Sequence, residues 1–103
     1  MVVHHIETVQ EYDTAVGAEG LVIVDYSAKW CGPCRAVAPK FQALSERYAN
    51  ALFVHVDIDE LEHQDIASVK GVPTFRFFVD GELKAQFSGA NAAKIEQTIE
   101  TLL

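Results

Sequence analysis

The feature that most constrains the fold is a short apolar run rich in β-branched residues, Leu21–Tyr26. Its single charged residue is Asp25. Strands covered on both faces lose the alternation of polar and apolar residues, so this run predicts a buried central strand. A second run, Leu52–Ile58, has the same character, and between them apolar residues recur at helical spacing from about residue 34 to 49. A strand, a helix and a strand of these lengths predict a βαβ unit with parallel strands.

The flanking segments predict the remaining elements of an α/β fold. Thr8 and Glu11 match a capping box, Asp80-Gly81 is a typical hairpin turn, and Asn91 is a good helix N-cap. We therefore predict one domain over residues 1–103, with a mixed five-stranded sheet, parallel in its first half, and four helices on its two faces. The flanking elements are expected at Val2–Ile6, Thr8–Gly17, residues 61–69, Thr74–Val79, Glu82–Ser88 and Asn91–Leu102, with Pro39 kinking the helix that contains it.

Composition excludes several classes of function. Eight Lys and Arg against fifteen Asp and Glu give a formal net charge of −7, and phosphate contacts need clustered cations, so we expect no nucleic-acid partner. No apolar run approaches the roughly 18 residues that cross a bilayer, so we expect no membrane partner either. The N-terminal residues lack the basic start and apolar stretch of a secretory signal, which favours a cytoplasmic location.

Cys31 and Cys34 are the only cysteines, and they fall where the first predicted strand ends and the helix begins. A purely structural disulfide closing so small a loop would remove little entropy from the unfolded chain. A zinc site would need two more ligands. His55 and His63 have seven residues between them rather than the usual three to five, and there is no second cysteine pair. We therefore favour a dithiol that cycles with a disulfide, and expect no metal.

The position of Cys31 favours reactivity. A helix N-terminus stabilises a thiolate, which is the nucleophilic form of cysteine. Pro33 fits the first helical turn, and Gly32 leaves room beside the sulfur for the backbone of a partner. Because the Gly-Pro spacer carries no cation to stabilise the reduced form, the pair should give electrons away rather than install disulfides. Beside an exposed thiol, Trp30 is either a core aromatic residue or a contact platform.

Asp25 is a second unusual feature, because burying a carboxylate is costly unless it is paired or protonated. It either faces a polar gap without chemical consequence, or lies behind the cysteines with a raised pKa and accepts the proton of Cys34. We favour the second interpretation. Pro73, at the start of a predicted strand, is commonly explained as an edge marker, and its position alone does not predict a cis bond. His55 is expected to be solvated or satisfied within the core.

Taken together, these residues resemble the thioredoxin family from end to end. The resemblance rests on Asp25, Trp30-Cys31-Gly32-Pro33-Cys34, Pro39, Val72-Pro73-Thr74 and Gly89. It implies the thioredoxin fold, with Leu21–Tyr26 central in the sheet and a cis Pro73 facing the cysteines. The lead-in Tyr26-Ser27-Ala28 and the stretch Phe87–Asn91 look closer to eukaryotic-type, cytosolic members than to bacterial ones.

The resemblance also implies an activity and its site. The chain would be a protein-disulfide reductase, in which Cys31 attacks a target disulfide, Cys34 resolves the mixed disulfide and Asp25 assists Cys34. It would need no cofactor, act as a monomer on disulfide-containing target proteins, and be regenerated by thioredoxin reductase. Its redox disulfide would be Cys31–Cys34. The implied substrate groove comprises Trp30, Gly32, Pro33, Ile58, Val72, Pro73, Gly89 and Ala90.

Some residues depart from the family pattern. The segment between Asp59 and Pro73 is one residue shorter than in typical members, and residues 61–69 lack an aromatic often found there, so the third helix is expected to be shortened or shifted. His55 stands where the family often has Lys or Glu. Two other functions remain possible on the same fold: a disulfide oxidase or isomerase, and a binding module switched by the redox pair.

Overall fold

The computed structural model describes residues 3–103, so the predicted strand residue Val2 lies outside the described part of the chain. Strands and helices alternate through the first half, and a hairpin and a helix follow. In the described residues the elements are β1 (Val3–His5), α1 (Val9–Val16), β2 (Leu21–Ser27), α2 (Gly32–Arg47), β3 (Leu52–Asp57), α3 (Gln64–Ala67), β4 (Thr74–Val79), β5 (Glu82–Ser88) and α4 (Ala92–Leu102).

The strands form one mixed sheet in the order β1-β3-β2-β4-β5. β1, β3 and β2 run parallel, whereas β4 and β5 are antiparallel to their neighbours. All seven residues of β2 are buried, which explains why this strand lacks polar alternation. The predicted central position of the Leu21–Tyr26 run is therefore confirmed, as are the parallel first half and the closing hairpin.

Two apolar clusters cover the two faces of the sheet. α2 and α4 pack on one face and α1 and α3 on the other. Aromatic contacts hold α2 against the sheet, with the ring of Phe41 centred 5.2 Å from Phe53 and 5.6 Å from Phe75. The first cluster includes Ile23, Val37, Phe41, Phe53, Phe75, Phe77, Ile95 and Ile99. The second includes Tyr12, Ala15, Val22, Val24, Val54 and Ile66.

Several predicted ends are corrected by capping contacts. α2 begins at Gly32, because the sulfur of Cys31 accepts the backbone N–H of Cys34 and so caps the helix. It continues through Pro39 and ends at Arg47 rather than 49, while the predicted kink stays a prediction. α3 has four residues instead of the nine predicted, and it begins where the His63 side chain accepts the N–H of Asp65.

The strand β5 departs from the predicted alternation at one end. Leu83, Ala85 and Phe87 alternate with polar residues in the sequence, which predicts a strand with one solvated face, yet Leu83 is 43% exposed. The ladder with β4 shifts between Phe77 and Phe78, which lie opposite Ala85 and Leu83 respectively. A shift of this kind bends a strand and re-aims its side chains, so the apolar face of β5 does not include Leu83 near the start of the strand.

The hairpin turn provides a test of the local backbone argument. Asp80 and Gly81 have φ angles of 51° and 84°, a conformation that favours glycine. We expect Gly81→Ala to lower the free energy of unfolding by about 1 kcal/mol, measured by urea denaturation. Gly71→Ala is the matched control, because no atom lies within 4 Å of its added Cβ and its φ is not positive. Equal stability of the two variants would contradict the assignment.

Candidate active site

Cys31 and Cys34 lie between the carboxyl end of β2 and the first turn of α2, and a disulfide joins them. The Cα atoms are 5.3 Å apart. The Sγ atom of Cys31 lies 3.1 Å from the backbone nitrogen of Cys34, which donates its N–H to it. Cys31 therefore occupies the N-cap position, at the positive end of the helix macrodipole, as predicted. In the disulfide form both residues are only 4% exposed, so the expectation of an exposed sulfur is wrong for this state.

A small apolar cluster surrounds the pair. Ala28, Ile58 and Val72 pack against the two cysteines. The carbonyl oxygen of Val72 lies 3.7 Å from Cys31 Sγ, and the Val72–Pro73 peptide bond is cis. The cis bond that the resemblance implied is thus confirmed, and it sits beside the disulfide.

The rest of the expected groove extends from this cluster. The carbonyl of Pro73 accepts the N–H of Gly89 over 2.9 Å. Gly89 has a φ of 109° and nothing within 4 Å of where a Cβ would stand, so its backbone is open to an approaching chain. Gly32, Pro33 and Ala90 are exposed. Ala90 lies at the expected groove because it directly follows Gly89 in the chain.

Trp30 is 68% exposed, which excludes the core interpretation of this residue. Its Nε1–H donates to Asp59 Oδ2 over 2.9 Å, and this bond orients the indole. Sequence reasoning missed Asp59. A usable signal was present, however, because β2 and β3 are parallel and the loops that follow them emerge at the same edge of the sheet.

Asp25 is buried in the central strand, with 1% of its surface exposed. Its Oδ1 has no hydrogen-bond partner among the described residues, and burial raises its pKa to about 7. The carboxyl lines a cavity of about 210 Å³ together with Ala38, Phe41 and His55. Cys34 lines an adjoining cavity of about 560 Å³ that shares Ala38 and His55 with the first. No direct hydrogen bond joins Asp25 to Cys34 within residues 3–103.

His55 is partly exposed to solvent and partly satisfied by hydrogen bonds inside the protein, which are the two environments expected for it. It is half-buried, its Nε2 lies 2.6 Å from Ser27 Oγ, and its Nδ1 lies 2.9 Å from Nδ1 of His5. Burial lowers its pKa, as does the neighbouring His5, so His55 is a neutral hydrogen-bonded imidazole at neutral pH. The contact with His5 was not foreseen from the sequence, because it depends on the register of β1 against β3.

The structure also bears on metals and membranes. Across residues 3–103, no three or more His, Cys, Asp and Glu side chains are grouped so that they could hold a metal ion. Within the same range, every helix is too short or too polar to span a bilayer.

Two cysteines that close a disulfide at the N-terminus of a helix carry the chemistry of thiol–disulfide exchange. Fold and site together therefore define a thiol–disulfide oxidoreductase. Comparison with protein-family models gives the family, since the model described as Thioredoxin matches residues 3–101. The chain belongs to the thioredoxin family, and its function is that of a protein-disulfide reductase.

Individual relatives agree with this assignment. Thioredoxin of Homo sapiens is 47% identical over 106 residues, and the match covers 98% of this chain and 99% of the relative. Thioredoxin of Sus scrofa is 46% identical with the same coverage.

Solved structures also match over nearly the whole chain. Reduced Schistosoma mansoni thioredoxin pre-protein superposes with a TM-score of 0.91, at 34% identity and 100% coverage of both chains. Plasmodium falciparum thioredoxin gives a TM-score of 0.90 at 33% identity, covering 97% of this chain and 99% of that one. The family implies disulfide-containing substrates and a reductase partner in general. It does not favour the oxidase, isomerase or binding-module alternatives.

The buried carboxyl of Asp25 generates a prediction about stability. Its pKa rises from 3.8 to about 7 on folding, so the folded state holds this proton more tightly than the unfolded state. Stability should therefore fall as pH rises from about 4 to about 7, with the full penalty present above that window. The difference corresponds to about 4 kcal/mol. We expect Asp25→Asn to raise the free energy of unfolding by about 2–4 kcal/mol at pH 8 and by little at pH 4.

Denaturant titrations of the oxidised protein across this pH range measure the effect. Glu19→Gln is the control, because Glu19 is exposed and its replacement should change stability by less than about 0.5 kcal/mol at either pH. An Asp25→Asn variant no more stable than the wild type at pH 8 would show that the carboxyl is not penalised by burial.

Proposed function

We propose that the protein reduces disulfides in target proteins through a mixed disulfide on Cys31, which Cys34 resolves. The observation that carries this assignment is the asymmetry of the pair. Cys31 caps α2 between the exposed residues Trp30 and Gly32. Cys34 lies inside the first turn and lines the cavity that adjoins the one around Asp25. Cys31 thus lies at the loop end of the helix, and Cys34 lies on the side of the two adjoining cavities.

The first step is nucleophilic attack. In the reduced protein the Cys31 thiolate attacks one sulfur of the target disulfide, forming a new S–S bond, while the other target sulfur leaves as a thiolate. The N–H of Cys34 and the helix macrodipole stabilise the negative charge on Cys31 before the attack. No cofactor is required, because the two electrons that reduce the target come from the cysteine pair itself.

The second step resolves the mixed disulfide. Asp25, as a carboxylate, takes the proton of the Cys34 thiol, and the resulting Cys34 thiolate attacks Cys31 Sγ. The Cys31–Cys34 disulfide forms as the second target sulfur leaves as a thiolate, which completes the two-electron reduction. Because no direct hydrogen bond joins the two side chains, we propose that water in the adjoining cavities carries the proton. An acid with a pKa near 7 suits proton exchange at neutral pH.

Substrate binding is assigned to the surface around the cis proline. A target chain in extended form would pair with the backbone at Val72, whose carbonyl lies beside Cys31 Sγ. The open backbones of Gly32 and Gly89 allow the chain to approach. Trp30 supplies apolar contact area, and Ile58, Pro33, Pro73 and Ala90 complete the proposed groove.

The wider setting follows from the chemistry of the pair. Each turnover leaves the cysteines oxidised, so we propose thioredoxin reductase as the partner that returns electrons. Both cysteines of the chain are used by the redox pair, which suits a reducing compartment, and we propose a cytoplasmic location. We further propose that residues 1–103 act as a single domain and as a monomer.

Replacing each cysteine separately tests the assigned roles. With insulin as substrate and dithiothreitol as reductant, Cys31→Ser should lose all activity above that of dithiothreitol alone, since no nucleophile remains. Cys34→Ser should form a mixed disulfide with insulin that is released far more slowly than in the wild type. Turbidity follows reduction, and mass spectrometry identifies the adduct.

The two variants also test the reverse assignment, in which Cys34 attacks and Cys31 resolves. If Cys31→Ser trapped the adduct and Cys34→Ser did not, the attacking and resolving roles would be exchanged. Full turnover in both variants would refute disulfide reduction by this pair. Ser45→Ala, a buried serine elsewhere on α2, is the control for nonspecific effects of altering the helix.

A further inference from the structure

The proposed role of Asp25 creates a problem of proton supply. Asp25 receives a proton when the cysteine pair is oxidised and must give one back when the pair is reduced again. Its side chain is 1% exposed, in a strand buried on both faces, so it cannot exchange that proton directly with bulk water. Asp25 can return the same proton to Cys34 within one cycle, but a carboxyl with a pKa of about 7 also exchanges protons with solvent at neutral pH, and that exchange needs a route to the surface.

Strand register supplies a row of titratable side chains that leads outwards from Asp25. Asp25 of β2 is paired with His55 of β3, and His55 is paired with His5 of β1, the edge strand of the sheet. All three line the same cavity of about 210 Å³. At the outer end His5 is exposed, and its Nε2 lies 3.2 Å from Oε1 of the exposed Glu60.

The hydrogen bonds of this row have one consistent direction when both imidazoles are neutral. His5 Nε2–H donates to Glu60, so His5 Nδ1 must accept from His55 Nδ1–H over 2.9 Å. His55 Nε2 then accepts from the Ser27 hydroxyl over 2.6 Å. A proton entering at Ser27 and leaving at His5 reverses the hydrogen bonds between Ser27 and His55 and between His55 and His5, and it removes the N–H that faces Glu60; a proton entering from outside restores all three. Two added protons would set N–H against N–H between the rings, so the pair passes one proton at a time.

We propose that His55 and His5 form a proton path between Asp25 and the solvent at Glu60. The inference rests on the proposed role of Asp25. When the cysteine pair is oxidised, protonated Asp25 gives up its proton through cavity water and Ser27 to His55 Nε2. His55 Nδ1–H moves to His5, and the Nε2–H of His5 passes to water. When the reductase reopens the disulfide, one proton travels back by the same groups to the Cys34 thiolate. No electrons move along this path.

The surroundings favour a neutral imidazole that can accept a proton. Burial and His5 lower the pKa of His55, while Asp57 and Glu60 oppose them more weakly. The two nearby cations have other partners. Lys29 Nζ forms an ion pair with Glu60 Oε2 at 3.3 Å, and the Arg35 guanidinium donates to the Lys29 carbonyl. Other titratable or charged residues line the same two cavities as His55. They are His5 from β1, Asp25 from β2, Cys34 and Arg35 from α2, Asp57 from β3, and Lys29 and Glu60 from the loops.

His55→Gln tests the path, because a glutamine amide can replace a hydrogen bond but cannot accept a proton. Single-turnover oxidation of the reduced protein by insulin, followed by Trp30 fluorescence, measures the exchange rate in H₂O and D₂O between pH 6 and 9. We expect a rate about tenfold lower near pH 7, a larger solvent isotope effect, and recovery on adding imidazole. His5→Gln should show the same signature, and it remains a test if His55→Gln does not fold, since His5 is exposed.

His4→Gln is the matched control, because His4 neighbours His5 on β1 but lines a groove bounded by Ile6, Ala15 and Val54 on the opposite face. It should leave the rate and isotope effect unchanged. In an Asp25→Asn background, His55→Gln should cause no further slowing, because the carboxyl that exchanges protons with the path is absent.

The outcomes separate this inference from the function on which it rests. If Asp25→Asn slows exchange but His55→Gln and His5→Gln do not, the path is wrong and the role of Asp25 stands. If Asp25→Asn has no effect, both fail. Slowing by His55→Gln that imidazole does not relieve, or that persists in the Asp25→Asn background, would assign His55 a structural role and overturn the path.

Discussion

The burial of the Asp25 carboxyl in the central strand is the constraint on which the rest of the site depends. β2 is covered by α2 and α4 on one face and by α1 and α3 on the other, so a charge in this strand is removed from bulk water. The pKa of Asp25 rises to about 7 for that reason. The fold is therefore less stable at neutral pH than in acid, and the buried carboxyl is the proton acceptor that we propose for Cys34.

The same packing positions the cysteines. Phe41 anchors α2 against Phe53 and Phe75, which directs the N-terminus of the helix to the carboxyl end of β2. Cys31 then becomes the cap of the helix, and Cys34 is buried in its first turn. Parallel strands bring the loops after β2 and β3 to this edge, so Trp30 and Asp59 meet there without being near in sequence.

Local sequence patterns predicted much of this, and long-range register accounts for what they missed. The capping residues Thr8 and Asn91 and the Asp80-Gly81 turn are local signals, and the structure confirms each of them. The cis bond before Pro73 could be expected only from the family resemblance. The early start of α2 depends on the Cys31 cap, which helical periodicity does not report. His5 and His55 meet only because β1 and β3 pair in one register, and nothing within either strand specifies it.

We propose that the fold makes the two cysteines chemically unequal, because Cys31 caps α2 at its positive end whereas Cys34 is buried in the first turn. The rate at which iodoacetamide alkylates each cysteine of the reduced protein near pH 7, read by peptide mass spectrometry, tests it most directly. We expect Cys31 to react at least about ten times faster than Cys34. Equal rates, or faster modification of Cys34, would contradict it.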